Sequence, residues 1–403
     1  MIRFLTSGES HGKALSVIID GFPSNLSISK NYINSHLKRR QMGYGRSVRM
    51  KIENDTVQIL SGIRFGKTIG SPISLLIENK DWINWQELID SEKKPENLNK
   101  ITIPRPGHAD LVGTLKYNFD DIRNSIERSS ARETAARVAA GTLARKLLEE
   151  FGISIGSYVE SIGGVYSNKS SLKDFSKNRA FAKKTGWQIS QSADTSSVRV
   201  LDSNQEKNII SKIKTAKKKG DTLGGTFLTF VTGVPIGLGS FMQFDRKIDA
   251  DIAFHLMSIN AIKGVEIGDA LLGAEKFGSQ TSDEIKFKNE ILSRSTNYAG
   301  GIEGGVTNGQ PIVVRAAMKP ISTLAKPLKS IDLKNMKSIS SRYERSDITA
   351  VPACSVIAES MMAWVIAKHF LVKFGGDSME ELRDNFNSYT KKLHKRIKQN
   401  FRK

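Results

Sequence analysis

The sequence of 403 residues contains one cysteine, Cys354, and six histidines. A single cysteine cannot form an internal disulfide framework, and its isolation fits a reducing compartment. The histidines include no H-x-x-x-H pair, and Cys354 has no companion at metal-ligand spacing. We therefore expect no disulfide and no structural metal site.

Long apolar segments are also scarce. The first residues lead directly into glycine and charged residues, without the apolar segment of a secretory signal. The stretch between Asp221 and Asp245 lacks charged residues and is long enough to span a bilayer. Its five glycines and one proline, separated by β-forming residues, instead indicate a buried strand followed by a loop. We expect a cytoplasmic protein without a membrane span.

Acidic residues are outnumbered, with 41 Asp and Glu against 61 Lys and Arg, for a net charge of +20. Such a positive field attracts anions, which include nucleic acid, acidic membrane and polyanionic metabolites. Part of the excess lies in solvated stretches such as residues 217–219 and 391–403. Aromatic residues make up 7% and are not interleaved with the basic runs, and no nucleic-acid reader module is recognisable. Nucleic-acid binding is thus the weaker alternative, and we expect no nucleic-acid or membrane partner.

Signatures of nucleotide-binding loops are missing as well. Residues 62–68 approach a phosphate-binding loop, but Ser61 stands where the first glycine belongs. The segment also leads into a second apparent strand and not into a helix. No G-x-G-x-x-G motif occurs, so a dinucleotide-binding site of the Rossmann type has no support.

Hydrophobic patterning predicts an α+β fold with antiparallel sheet, because repeating β-α units are absent. Helices are predicted after the N-cap Ser29, from a capping box at Ser130 and Glu133 to Gly152, over residues 250–263, and from Pro352 to Phe374. Strands are predicted near residues 2–5, 15–19, 56–60, 74–77, 154–166, 226–234 and 311–318. We expect one domain over residues 1–390, followed by a flexible basic tail over residues 391–403.

Two histidines lie in glycine-rich polar loops. His11 lies in the loop 7–12, and His108 lies in the segment 105–110 beside Arg105. Glycine lets backbone and ligand approach closely, and a loop histidine can act as an acid or a base near neutral pH. Either histidine alone is more often a surface or capping residue.

Three further segments could bind an anion or a flat ligand. Arg128, Ser129 and Ser130 precede a long helix, whose N-terminus attracts anions, although Ser130 is equally explained as an N-cap. The glycine-dense segment 300–305 could close around a flat ligand or form a mobile loop. Residues 319–323 place a lysine and hydroxyls after a predicted strand.

As an ordered set, these motifs resemble the chorismate synthase family, from Phe4 to about Tyr389. The likeness is carried by residues 8–12, 39–41, 43–46, 105–110, 128–133, 258–264, 345–347 and 350–352. Members of this family convert 5-enolpyruvylshikimate 3-phosphate to chorismate by a 1,4-anti elimination of phosphate. They are lyases of the shikimate pathway of aromatic amino acid biosynthesis, and they need reduced FMN.

The resemblance implies roles for individual residues. His11 corresponds to the acid that protonates the departing phosphate, and His108 to the group that protonates or stabilises the reduced flavin near N1. Asp347 matches the carboxylate that works with flavin N5 in removing the ring proton. The remaining positions implied for the substrate are Ser10, Arg40, Arg46, Arg49 and Arg132. Those implied for FMN are Arg128, Ser129, Ser130, Asn260, Ala261, Gly304, Lys319, Pro320, Ile321, Ser322, Thr323 and Arg345.

The sequence departs from the family pattern at two loop positions. Ser47 stands where a glycine is common, and Ser322 stands where many relatives have proline, which leaves the shape of these loops open. The family fold is a β-α-β sandwich with helices between two antiparallel sheets, assembled as a homotetramer. Some relatives reduce their own FMN with NADPH and others depend on a separate flavin reductase, and the sequence does not decide between the two.

Overall fold

The computed structural model describes residues 2–46, 53–169, 184–288, 290–344 and 346–399. The strands are β1 Arg3–Ser7, β2 Ala14–Asp20, β3 Val57–Ser61, β4 Ile63–Arg64, β5 Lys67–Thr68, β6 Ile73–Glu78, β7 Ser154–Ile162, β8 Val165–Tyr166, β9 Gly225–Thr232, β10 Ile262–Ile267, β11 Ile285–Lys288, β12 Ile291–Arg294, β13 Ile302–Glu303, β14 Val306–Thr307, β15 Ile312–Met318, β16 Lys329–Asp332 and β17 Lys337–Ser340.

The helices are α1 Lys30–Gln41, α2 Asp110–Tyr117, α3 Arg123–Ser129, α4 Thr134–Glu149, α5 Gly186–Asp194, α6 Ser203–Lys219, α7 Ile248–Met257, α8 Ala270–Ala274, α9 Gly278–Thr281, α10 Val351–Phe374 and α11 Met379–Lys398. Short 3-10 helices cover Lys80–Asn84, Ala131–Glu133 and Phe244–Arg246.

A four-stranded antiparallel sheet, in the order β1-β2-β6-β3, forms the first layer. Along its strands, buried and exposed side chains alternate, because successive side chains of a strand point to opposite faces. Leu15, Val17 and Ile19 of β2 are buried, whereas Ile18 between them is 49% exposed. The buried face packs on the helices, and the opposite face is open.

The helical layer is built around α4 and α10, which pack on each other between the two sheets. Within the described ranges, α10 is the one helix that is long and apolar enough to cross a membrane by length and composition. However, 78% of its most apolar window is buried inside the fold, against α1, α4, α7, β7 and β9. An apolar helix covered on all sides is a core helix.

The second sheet has the order β10-β15-β9-β7-β8 and is also antiparallel. Its central strands are buried on both faces, since Phe227 of β9 packs on the helical layer and Phe230 packs in a cluster with Ile189 of α5. The layers are therefore sheet, helices and sheet, with α5 on the outer face of the second sheet. This architecture confirms the expected α+β β-α-β sandwich.

Most predicted elements are confirmed, including β9 in the uncharged stretch, but two helix boundaries differ. Ser130 caps a single 3-10 turn, and Glu133 bonds Thr6 and Arg137 instead of completing a capping box. The helix predicted over residues 250–263 is wrong at its end, because α7 stops at Met257 and β10 begins at Ile262. Residues 391–398 of the basic tail form the last turns of α11, and the flexibility of this tail stays a prediction.

Candidate active site

One cavity of about 920 Å³ lies where several loops meet at an end of the helical layer. Helices α4 and α10 both begin beside it, so that the positive ends of two helix dipoles favour an anion there. Seven Arg or Lys side chains line the cavity against three Asp or Glu. The size is that of a pocket for organic ligands, and the charge suits anionic ones.

His11 lies in the loop between β1 and β2, and its ring is held from behind. Its Nδ1 is 2.9 Å from Glu127 Oε1, and its backbone N–H donates to Glu127 Oε2 at 2.8 Å. The indole of Trp85 packs on the imidazole with ring centroids 4.1 Å apart. Burial alone would raise the pKa of Glu127, but the bonds from His11 hold that pKa below its usual value.

His108 precedes α2 and is oriented in a similar way. Its Nδ1 is 2.5 Å from the fully buried Asp110, which also receives bonds of 2.8 and 2.9 Å from Arg105. Burial would raise the pKa of Asp110, yet the bonds from Arg105 and His108 place it well below the usual range. Asp110 is therefore a fixed negative charge behind the His108 ring.

Asp347 lies just before α10, and Arg46 lies beyond the end of α1. Arg46 Nε is 3.3 Å from Asp347 Oδ2, and both side chains line the cavity. This pairing brings a carboxylate that can accept a proton next to a guanidinium that suits an anion.

Arg40 and Arg132 share the buried carboxylate of Asp55. Arg40 Nη1 is 3.1 Å from one oxygen of Asp55, and Arg132 Nη1 is 2.5 Å from the other. Burial lowers the pKa of Arg40 to about 10, although Asp55 opposes this shift. Held in this way, the two guanidiniums form a rigid cationic wall of the cavity.

A second group of polar residues lies on the side of the cavity where β10 begins and β15 ends. Lys319 donates to Gly107 O at 2.5 Å and to Ser322 Oγ at 2.8 Å. Burial and the neighbouring Lys263 lower the pKa of Lys319, a cost that a bound anion would relieve. Asn260 donates to Ser129 O at 2.9 Å, while its buried Oδ1 has no hydrogen-bond partner among the described residues.

Several relatives of this chain are chorismate synthases. A profile of the family described as Chorismate synthase matches residues 2–371. The chorismate synthase of Alkaliphilus metalliredigens is 54% identical over 391 residues, covering 97% of this chain and all of the relative. That of Chlorobaculum tepidum is 52% identical over 401 residues, covering 98% and 100% of the two chains. A solved structure titled Crystal Structure of Chorismate Synthase superposes with a TM-score of 0.79 at 43% identity, covering 98% of both chains.

The chain belongs to the chorismate synthase family. It converts 5-enolpyruvylshikimate 3-phosphate to chorismate in the shikimate pathway, and the chorismate synthase family uses reduced FMN. Each of these ligands carries phosphate, and the substrate carries carboxylates as well, which fits the excess of cations around the cavity.

Most of the site residues expected from the chorismate synthase resemblance lie around this one cavity. Its lining includes His11, His108, Asp347, Ser10, Arg40, Arg46, Arg132, Ser129, Ser130, Asn260, Ala261, Lys319, Pro320, Ile321, Ser322 and Thr323. Arg128 does not line it and bonds Thr6 instead, and Gly304 lies in the β13–β14 turn. Arg49, Arg345 and Ser47 lie outside the described residues.

Sequence reasoning missed the side chains that position the chorismate synthase cavity. Glu127, Asp110 and Asp55 hold the histidines and arginines from behind, and Arg123 and Trp85 complete the wall near His11. Asp110 is only two residues from His108, so the segment 105–110 did carry a local signal. Glu127 is 116 residues from His11, a separation at which one sequence shows no pairing.

Proposed function

We propose that His11, His108 and Asp347 handle protons in the elimination of phosphate. The observation that supports this proposal is that the three side chains line the same cavity, among cationic residues suited to the substrate. In this scheme, His11 Nε2 donates a proton to the departing phosphate, while His11 Nδ1 stays hydrogen-bonded to Glu127. Asp347 assists removal of the ring proton at its carboxylate, and His108 holds a proton beside the cofactor.

The substrate is bound by Ser10 and by Arg40, Arg46, Arg49 and Arg132. Guanidinium forks match the geometry of phosphate and carboxylate, and the described arginines lie within one wall of the cavity. Asp55 orients Arg40 and Arg132, so that little side-chain freedom is lost when the substrate binds.

The residues present fit FMN. The pair Lys263 and Lys319 calls for an anion such as the FMN phosphate, and the buried Oδ1 of Asn260 suits a donor such as a ring N–H. The residues that would hold FMN are Arg128, Ser129, Ser130, Asn260, Ala261, Gly304, Lys319, Pro320, Ile321, Ser322, Thr323 and Arg345. Reduced FMN, when bound, supplies electron density that no side chain can supply.

The proton-handling roles are tested by single substitutions under anaerobic conditions with dithionite-reduced FMN. Turnover of His11→Ala, His108→Ala and Asp347→Asn should fall by about a hundred- to ten-thousand-fold, while FMN still binds. The matched control is His394→Ala, which changes an exposed histidine on α11. Near-wild-type turnover in all three variants contradicts the assignments.

The source of reducing equivalents is a separate part of the proposal. The resemblance allows NADPH as reductant, with or without a separate flavin reductase. The protein alone is mixed with FMN and NADPH, and flavin bleaching is followed without added reductase. Bleaching at a rate proportional to protein concentration supports intrinsic reduction, and its absence assigns reduction to an external partner.

The protein acts as a homotetramer in the cytoplasm, with residues 1–390 as one domain. Association is supported by apolar side chains on the outer face of the first sheet, where Leu5 is 73% exposed and pairs directly with the half-exposed Ile18. Apolar neighbours on an open sheet face are typical of contact surfaces. The assembly is measured by size-exclusion chromatography with light scattering.

A further inference from the structure

Glu127 makes more contacts to His11 than orientation of a ring alone requires. Its side chain is 4% exposed, and its Oε2 accepts from the backbone N–H of His11 at 2.8 Å. Its Oε1 and Oε2 lie 2.9 and 3.1 Å from His11 Nδ1. The backbone N–H of Ser10 also donates to the main-chain carbonyl of Glu127 at 3.0 Å. Helix α3 thereby fixes both the loop and the ring of His11.

A carboxylate hydrogen-bonded to Nδ1 determines which of the two ring nitrogens can exchange a proton with a bound molecule. Because an ionised carboxylate can only accept, Nδ1 must be the donor in this contact. Proton exchange with a bound molecule then falls to Nε2, as in other carboxylate–imidazole pairs. The packing of Trp85 on the ring, at 4.1 Å between centroids, limits its rotation away from this arrangement.

The charges around the ring come from α3, from the segment between β17 and α10, and from the 3-10 helix Lys80–Asn84. On α3, Glu127 contacts the imidazole and Arg123 lies 3.3 Å from Glu127, with Glu344 4.0 Å beyond Arg123. In the 3-10 helix Lys80–Asn84, Asp81 accepts from the indole N–H of Trp85 at 3.2 Å. Among these groups, Glu127 is the negative charge in direct contact with His11, so it stabilises the imidazolium more than the others do.

We propose that Glu127 is a positioning residue that holds His11 with its proton on Nδ1 and stabilises the charged ring from which phosphate is protonated. This inference rests on the role proposed for His11, and it adds a residue that acts on the substrate only through His11. Glu127→Gln removes the charge and keeps the shape of the side chain.

The experiment measures the pH dependence of kcat/KM for the holoenzyme with reduced FMN, alongside an NMR titration of the His11 ring. The ring is labelled with ¹³C-histidine and assigned with His11→Asn. In Glu127→Gln, the alkaline limb of the pH profile and the His11 titration should both move to lower pH by about one unit or more, as expected when a contacting opposite charge is lost. Glu380→Gln, which changes an exposed acid on α11, should move neither.

Two further variants test the direction of the pH shift and distinguish it from the effect of misfolding. Glu127→Asp keeps the charge, so its limb should stay near the wild-type position even though its rate falls. Arg123→Gln removes the opposing positive charge. The alkaline limb of its pH profile should therefore move to higher pH or stay at the wild-type position. Equal rate losses in Glu127→Gln and Glu127→Asp with no shift in either readout overturn the inference and leave Glu127 as a structural residue.

Failure of this inference is distinguishable from failure of the role proposed for His11. If His11→Asn keeps wild-type turnover, the role proposed for His11 is contradicted, whatever the titration of Glu127→Gln shows. If His11→Asn is inactive and Glu127→Gln leaves both the pH limb and the His11 titration unchanged, only the inference about Glu127 falls.

Discussion

Gly8 begins the loop that carries His11, and its backbone is unsuited to any other residue. Its φ is +101°, and a Cβ built there would lie 2.3 Å from Ala14 O. We predict that Gly8→Ala lowers the free energy of unfolding by about 1–3 kcal/mol from its backbone conformation, with a further loss from the clash. It should also reduce turnover, because the loop must shift. Urea unfolding and the anaerobic assay measure both effects.

The control for Gly8 is Gly164→Ala. Gly164 also has a positive φ, +79°, but a Cβ there meets no atom within 4 Å. The difference between the two variants therefore isolates the clash with the β2 backbone. Equal losses in both variants would show that the close approach to Ala14 does not matter.

At the level of single residues, sequence reasoning identified groups that could act but not the groups that hold them. His11 and His108 stood out because glycine-rich loops expose them to ligands. Their carboxylate partners are set by folding, since α3 brings Glu127 to a loop 116 residues earlier in the chain. A buried acid beside a basic residue in a helix has no local pattern that distinguishes it from a surface acid.

Helix α10 contains one acidic residue, Glu359, in a largely apolar run, and that residue is fully buried. Its carboxylate contacts the guanidiniums of Arg39, Arg145 and Arg199, at 2.7 to 2.9 Å. We predict that Glu359→Gln lowers the free energy of unfolding by about 3–5 kcal/mol, because three buried cations lose the counter-charge that they share, although Asp194 remains beside Arg39 and Arg199. Urea unfolding at pH 7 measures the loss.

The comparison for Glu359 is an exposed ion pair. Arg383→Gln removes a pair with Glu150 in which the arginine side chain is 49% exposed. Surface pairs contribute about 0–1 kcal/mol, so this variant should unfold almost as the wild type does. A loss in Glu359→Gln no larger than that in Arg383→Gln would contradict a stabilising role for the buried cluster.

Patterning predicted the elements well and their ends less well. The helix was predicted to run to residue 263 because Gly264 follows, and glycine commonly ends a helix. The chain instead turns at Ala261, a non-glycine residue with φ of +68°, before β10 begins. That turn brings Asn260 and Ala261 to the cavity, so the error coincides with the site. Tertiary contacts overrode the local preference there.

At the scale of the whole molecule, several buried groups change their protonation between the folded and unfolded states. Burial together with Arg145 and Arg39 lowers the pKa of His36 well below its usual value. Burial would raise the pKa of Glu359, yet three arginines hold it well below the usual range, and Asp110 and Asp251 behave similarly. In each case the unfolded chain binds protons at a higher pH than the folded protein does.

The sign of the pH dependence follows directly. Where the unfolded state binds more protons, stability falls as pH falls. We predict that the free energy of unfolding begins to decline near pH 6.5, as unfolded His36 protonates, and declines more steeply below about pH 4.5, as unfolded carboxyls protonate. Urea unfolding across this range measures the slope. The Glu359→Gln variant should show a shallower decline in the acidic part, and a wild-type curve that is flat down to pH 4 would contradict the prediction.

The order of the layers came from family resemblance, because spacing gives strands and helices but not which sheet covers which face. The same limit applies to assembly, for which the first sheet offers an open face with exposed apolar side chains. Leu5 and Ile18 lie opposite each other in the register of β1 and β2, on the face of the first sheet that points away from the helices. We predict that Leu5→Lys combined with Ile18→Lys shifts the proposed tetramer toward smaller species in light scattering, because charges there cannot be buried without partners. Ile83→Lys, at a 73% exposed position in the 3-10 helix Lys80–Asn84, should leave the mass unchanged. If the double variant keeps the mass of the wild-type assembly across a dilution series, any subunits meet through another surface, and this face of the sheet is simply exposed to solvent.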